Sequence, residues 1–371
     1  MINRGNRPIP DGVEHIKADK NDYFRIARAL QGRKFDAVMD YLLFTDRDTE
    51  KSVDFYTQYT KQYFYISSCA VYNTEELNGK IGNEESAKEL PVWSYSVNKW
   101  ASEKMVVKLF ENREAHYTII RPCVTYGDTR IPYGISPQFG YDWTLVARVL
   151  NDKPIITWNE GHNRCNMTRV EDFAVGVVGL IGNPKAYNEA FNVCGDEFPQ
   201  QGEVLDCIAD IINHPVKKIN IDAFFYASEI PYRRGELIGG RCIDSLNSNA
   251  KLKAAVPEFK HTYNLKMGIG KTINAYKIQN YQFGIDWRFD AETDRTIRKW
   301  CKVKGLKLDK KATVFVDYLG NATIKDHIEY WFAFHDLYGV FILPQRIKNR
   351  MKKIFIKYIY PLCQICQTAR Q

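Results

Sequence analysis

The chain has 371 residues, 45% of them hydrophobic and 26% charged, which excludes a disordered or collagen-like protein and suits one large domain or two smaller ones. Its net charge of +8 is uneven: no acid follows Asp336, and Arg346, Lys348, Arg350, Lys352, Lys353, Lys357 and Arg370 supply +7, leaving +1 for everything before. A near-neutral body argues against nucleic acid as a partner, because such binders spread positive charge over a face.

In chain order, residues 13–18 (VEHIKA) predict a short strand ending at Asp19, and 23–31 predict a helix. The apolar run 35–44 predicts a strand, 47–62 a short polar helix, and 63–72 (YFYISSCAVY) an aromatic strand. Residues 94–112 place Ala101, Met105, Val106 and Leu109 at helical spacing, and 117–124 read as another strand. Strands apolar along their length, alternating with helices, predict a parallel sheet covered on both faces. Further on, 141–151 predict a helix and PIITW a strand. TRVEDFAVGVVGLIGNP predicts a loop and then a helix, AFNVCG a strand, and 201–213 and 247–255 helices. Beyond about 284 the pattern changes to a charged helix at 291–303 and an aromatic helix near 325–337, an appended module.

The segment SYSVNKWASEK carries the first chemistry. Tyr95 and Lys99 stand four apart, so on a helix they share a face. An ammonium beside a phenol favours phenolate and lowers the tyrosine pKa, so the pair could exchange a proton with an alcohol near neutral pH. Alone, this spacing is common on surface helices. Ser68, in ISSCAVY, ends the preceding strand, where its hydroxyl could bond the same substrate oxygen.

With these motifs in order, followed by RPCVTYG and NMTRVEDFA, residues 1–283 resemble the extended short-chain dehydrogenase/reductase family, the NAD-dependent epimerases and dehydratases of nucleotide sugars. The resemblance implies an α/β fold, a Rossmann-type doubly wound parallel sheet with a smaller α/β substrate-binding part and a helical C-terminal extension. It implies NAD or NADP as cofactor, a nucleotide sugar as substrate, and hydride transfer at a sugar carbon. Tyr95 is then the acid/base, Lys99 the ribose-binding cation, and Ser68 the partner of the reacting hydroxyl. Asp19 and Lys20 resemble the adenine-contacting pair, Tyr41, Leu42 and Leu43 the turn lining the cofactor, and Cys123 the nicotinamide contact. Val124 and Arg164 fall at substrate positions, Arg164 as the phosphate contact. Many members of this family are homodimers through the helix bearing the tyrosine. The boundaries implied are 1–127 and 152–194 for the cofactor part, 128–151 and 195–283 for the substrate part, 284–338 for the module and 339–371 for the tail.

The chain also departs from the family. MINRGN resembles the end of the second strand, so the first strand, its GxxGxxG turn and a helix, about 30 residues, are expected to be missing, through a misassigned start or in the protein itself. Arg4 suits an NADP 2′-phosphate or is an exposed loop arginine. Leu42 and Leu43 replace small residues and are expected to crowd the cofactor. Val124 replaces an asparagine, and Ser68-Cys69-Ala70 lacks the Asp-Glu pair of the 4,6-dehydratases, which favours an epimerase or reductase. The other reading is a non-catalytic family member that binds RNA, a partner or a membrane.

Other signals are weaker. MGIGKT fails as a phosphate loop because Leu265 stands where glycine is required. Nine scattered cysteines read as reduced cytoplasmic thiols, and the single CxxC of Cys363 and Cys366 has no second pair to complete a zinc site, so no metal is expected. No signal-peptide core or spanning stretch is visible. In the tail, Ile347, Met351, Ile354, Phe355, Tyr358 and Ile359 recur at helical spacing among basic residues. That pattern fits a helix on the anionic inner face of a membrane, or one docked on the body or a partner.

Overall fold

This computed structural model describes residues 1–6, 8–89, 91–280 and 284–346. Its strands are β1 (Ile2–Asn3), β2 (Ile16–Lys17), β3 (Val38–Asp40), β4 (Gln62–Ile66), β5 (His116–Pro122), β6 (Val124–Tyr126), β7 (Ile155–Thr157), β8 (Met167–Arg169), β9 (Glu189–Val193) and β10 (Lys218–Asn220). The helices are α1 (Tyr23–Leu30), α2 (Asp46–Tyr56), α3 (Thr74–Leu77), α4 (Ser94–Phe110), α5 (Trp143–Leu150), α6 (Val170–Val178) and α7 (Gln201–Ile212). They continue with α8 (Ala223–Glu229), α9 (Arg234–Glu236), α10 (Ala250–Ala255), α11 (Leu265–Ile278), α12 (Trp287–Lys304), α13 (Ile324–Phe334) and α14 (Tyr338–Phe341). Strands β3, β4, β5 and β9 form a parallel sheet in that order, and β1–β2, β6–β8 and β7–β10 form separate parallel pairs.

Strand β4 explains the layering. All five of its residues are buried. Tyr63 and Tyr65 enter one core with Ile26 and Leu30 of α1, Val53 of α2, and Val106 and Phe110 of α4. Phe64 and Ile66 enter another with Val177 of α6, Val193 of β9 and Leu252 of α10. Alternate side chains thus serve opposite faces, each contributing about 1.5–3 kcal/mol by leaving water. The expected doubly covered Rossmann-type sheet is therefore present.

Several elements are shorter than their apolar runs suggest. The run at 35–44 yields only β3, because the Leu42 N–H donates to Asp40 Oδ1 (2.9 Å) and turns the chain out of the sheet. The run at 63–72 ends at Ile66, and Ser68 Oγ then accepts from the Ala70 N–H (3.1 Å), starting a tight turn at Cys69–Val71. The polar helix begins at Asp46 behind Thr45, whose hydroxyl accepts from the Asp48 N–H (3.2 Å). Strand β8 forms in a segment that reads as a loop, and α8 and α11 have no counterpart in the sequence reading. Within α11, Gly268 of MGIGKT has a packing role, since a Cβ there would overlap the Tyr126 phenol.

Residues beyond 284 share a core with α5, α7 and α11: Trp287, Ala291 and Ile297 of α12 and Tyr330 of α13 pack with Trp143, Leu145, Val204, Ile208 and Ile269. A buried charge quartet reinforces this contact. Arg148 of α5 and Lys153 face Asp290 and Asp294 of α12, all at most 1% exposed. Lys153 Nζ lies 2.6 Å from Asp294 Oδ2, and the Tyr318 and Tyr330 hydroxyls donate to Asp290 and Asp294 (both 2.7 Å). The tail helix at 347–359 and the Cys363–Cys366 pair lie outside the described residues. Among the described residues no helix is long and apolar enough to cross a membrane.

Candidate active site

Helix α4 carries Tyr95, Lys99 and Glu103 on one face and aims that face at the carboxyl ends of β3, β4 and β5. Lys99 is 2% exposed. Its Nζ donates to Leu43 O, just past β3, and to Ile66 O, the last residue of β4 (2.8 Å each). Burial pushes its pKa down to about 8, a fall partly opposed by the Glu103 and Asp40 carboxylates. An ammonium has three N–H groups, and these carbonyls take two, so the third can meet a hydroxyl or phosphate. Glu103 holds the floor of the site. It accepts from Arg121 Nη2 (2.6 Å) and Ser67 Oγ (2.5 Å), while Arg121 Nη1 donates to Tyr72 (2.8 Å) and Tyr72 to Asn192 (2.7 Å).

Tyr95 and Ser68 line one cavity of about 470 Å³. Cys123 and Val124 stand on the same wall. The Tyr95 pKa is raised by burial, against the lowering pull of Ser68, Arg241 and Arg130. This corrects the expectation that Lys99 depresses it, for the Lys99 ammonium lies 6.0 Å from the Tyr95 ring centroid and is itself desolvated.

The opposite wall was missed by the sequence reading. It holds Arg130, Arg233, Glu236 and Arg241. Burial and then the Arg241 charge lower the Arg130 pKa, while the carboxylates of Asp142 and Glu236 pull it up. Arg241 Nε is buried without a hydrogen-bond partner, its nearest carboxylate oxygen being Glu236 Oε1 at 3.8 Å. Arg241 closes a π-helical turn, Leu237–Arg241, which presses on Trp93; a Cβ on Gly240 would sit 2.6 Å from the indole. The density of Arg233, Arg234 and Arg241 around GELIGG is the signal that could have found this wall.

A second cavity, about 640 Å³, brings together Arg4, Asp19, Lys20 and Leu42 with Ala18 and Phe44. Lys99 lies between the two, its ammonium 5.2 Å from the Phe44 ring centroid. Three expected positions fall elsewhere. The Leu43 side chain is 1% exposed in the core, so it crowds nothing and contributes only its carbonyl. Tyr41 is half-exposed and lines neither cavity. Arg164 does not line the cavity; Asp244 accepts from its Nη2 at 2.8 Å, and the arginines on the cavity wall are Arg130, Arg233 and Arg241. Among the described residues no three His, Cys, Asp or Glu side chains are arranged to hold a metal.

A Rossmann-type sheet with a tyrosine, a lysine and a serine at its carboxyl edge is the arrangement that the short-chain dehydrogenase/reductase resemblance implies. Residues 11–194, just under half of the chain, match the family described as "NAD dependent epimerase/dehydratase family". It is 28% identical over 188 residues to the chloroplast stem-loop binding protein of 41 kDa b of Arabidopsis thaliana, covering 50% of this chain and 45% of that protein. It is 24% identical over 149 residues to the uncharacterized UDP-glucose epimerase YtcB of Bacillus subtilis, covering 40% of this chain and 44% of that one. The chain thus spans less than half the length of these two relatives. Its fold matches UDP-glucuronic acid 4-epimerase from Bacillus cereus in complex with NAD (TM-score 0.56, 16% identity, 72% of this chain and 81% of that one). It also matches MoeE5 in complex with UDP-glucuronic acid and NAD (TM-score 0.58, 15% identity, 75% and 90%).

Proposed function

We propose that this chain is a nucleotide-sugar epimerase or reductase that takes NAD or NADP. One observation carries the reading: Tyr95 and Ser68 share a single cavity with Arg130 and Arg241. The pair suits a sugar hydroxyl, and the guanidiniums suit a diphosphate. Hydride transfer to or from the sugar carbon is the chemistry that a nicotinamide cofactor would supply when bound. Ser68 orients the reacting hydroxyl and Tyr95 exchanges its proton. Burial keeps the phenol protonated, so Tyr95 is poised to give a proton to a keto oxygen, and taking one requires added positive charge nearby. The spare Lys99 N–H suits the ribose of the cofactor, and Arg4, Asp19 and Lys20 suit its adenosine end.

The test is to titrate the full chain with NAD and NADP and to follow UDP-hexoses by NMR in their presence. Saturable cofactor binding with inversion or reduction at a sugar carbon supports the reading; absence of both refutes it. The second reading, a non-catalytic binding protein, draws on the stem-loop binding activity in the name of the Arabidopsis relative. It requires that Tyr95→Phe leave function in the cell intact.

A further inference from the structure

The carboxyl edge of the sheet holds a row of three cysteines. Strands β4 and β5 pair Ile66 with Ile120; Cys69 opens the turn that follows β4, and Cys123 follows Pro122, the last residue of β5. Strands β5 and β9 pair Pro122 with Val193, and one residue on the register sets Cys123 beside Cys194. Cys69 Sγ and Cys123 Sγ are 2.8 Å apart, whereas the Cys194 thiol donates to Asn247 O (3.4 Å). Adjacent in-register strands lie at a spacing a disulfide can span. Cys69 and Cys123, but not Cys194, line the cavity that holds Tyr95, so a small oxidant entering there meets this pair.

We propose that Cys69 and Cys123 form a reversible dithiol–disulfide site in the cavity wall, oxidised by hydroperoxides and shielded by whatever occupies the cavity. The Cys123 thiolate attacks a peroxide oxygen; an S–O bond forms, the O–O bond breaks, and one water leaves after protonation. The Cys69 thiolate then attacks Cys123 Sγ; the S–S bond forms, the S–O bond breaks, and a second water leaves. Two thiols lose two electrons, and one peroxide becomes two waters, or a water and an alcohol. The bond ties the turn that follows Ser68 to β5. It also removes the Cys69 thiol from Arg121 O (3.2 Å) and the Cys123 thiol from Asn166 Oδ1 (3.7 Å). Burial raises both thiol pKa values, so the reaction is slow at neutral pH and quickens as the pH rises. None of this requires the epimerase reading.

The full chain is exposed to hydrogen peroxide, alkylated, digested with trypsin and mapped without reduction. The expected result is a link between peptides 62–80 and 114–130, two hydrogens lighter than the separate peptides, faster at pH 8.5 than at pH 7 and reversed by dithiothreitol. Phenylarsine oxide, which bridges two thiols, should block the same link. Cys69→Ser and Cys123→Ser should each abolish both effects, and the wild-type map stands without them if either variant fails to fold. A map in which Cys207 and Cys242 oxidise while residues 69 and 123 stay alkylated separately overturns the proposal. A Cys123–Cys194 link with residue 69 free overturns it equally.

Discussion

Replacing Lys99 by methionine separates the two duties of the buried ammonium. Its pKa falls from 10.5 to about 8 in the folded chain, chiefly through burial. At about 1.4 kcal/mol per pH unit, holding the charge at neutral pH costs the fold about 3 kcal/mol. Methionine removes that cost but strands the carbonyls of Leu43 and Ile66, at about 1–3 kcal/mol each. The two effects nearly cancel at pH 7, so Lys99→Met should change stability by less than about 3 kcal/mol while weakening cofactor binding. The pH dependence is sharper. Between the folded and unfolded pKa values the unfolded chain binds the extra proton, so wild-type stability rises with pH from about 8 and loses that gain as pH falls back. Against the methionine variant, wild type should gain about 2 kcal/mol from pH 8 to 10. The raised tyrosines, Tyr63 and Tyr65 among them, act above pH 10 in both proteins and drop out of the difference. Urea unfolding followed by tryptophan fluorescence at four pH values measures it. Parallel stability curves with a constant gap would refute the reasoning.

Three further outcomes are expected. Tyr95→Phe should cut turnover about 10²–10⁴-fold while leaving urea stability within about 1 kcal/mol, because only one hydroxyl on the cavity wall is lost. Glu103→Gln should destabilise the fold by about 3–5 kcal/mol in the same assay, since the Arg121 guanidinium, with its side chain 4% exposed, loses its carboxylate; adding Arg121→Met should recover part of the loss. Arg241→Ala should weaken UDP-sugar binding about 10-fold or more by calorimetry, the worth of one charge-assisted hydrogen bond, with little effect on affinity for the cofactor alone.

The sheet and one wall of the site were legible because they rest on local pattern. Aromatic and apolar runs such as 63–66 announce a doubly covered sheet, and Tyr95, Lys99 and Glu103 announce one face of a helix. The other wall was not legible, because Arg130 and Arg241 meet across 111 residues and neither sits in a periodic run. Arg164 looked equally suited to a phosphate, and only the distant Asp244 decides otherwise. The direction of the Tyr95 pKa shift was also beyond sequence spacing, since it depends on how much water the fold removes. Strand lengths were overestimated wherever a side chain such as Asp40 or Ser68 captured the backbone first.

The interlock of Arg148 and Lys153 with Asp290 and Asp294 bears on ancestry as well as on folding. Two cations belong to the body and two anions to a helix more than a hundred residues downstream, so neither half is tolerable without the other. A protein that arose by adding the last helices had to acquire all four positions nearly together. Any homologue lacking them should carry neutral side chains where residues 148 and 153 stand here.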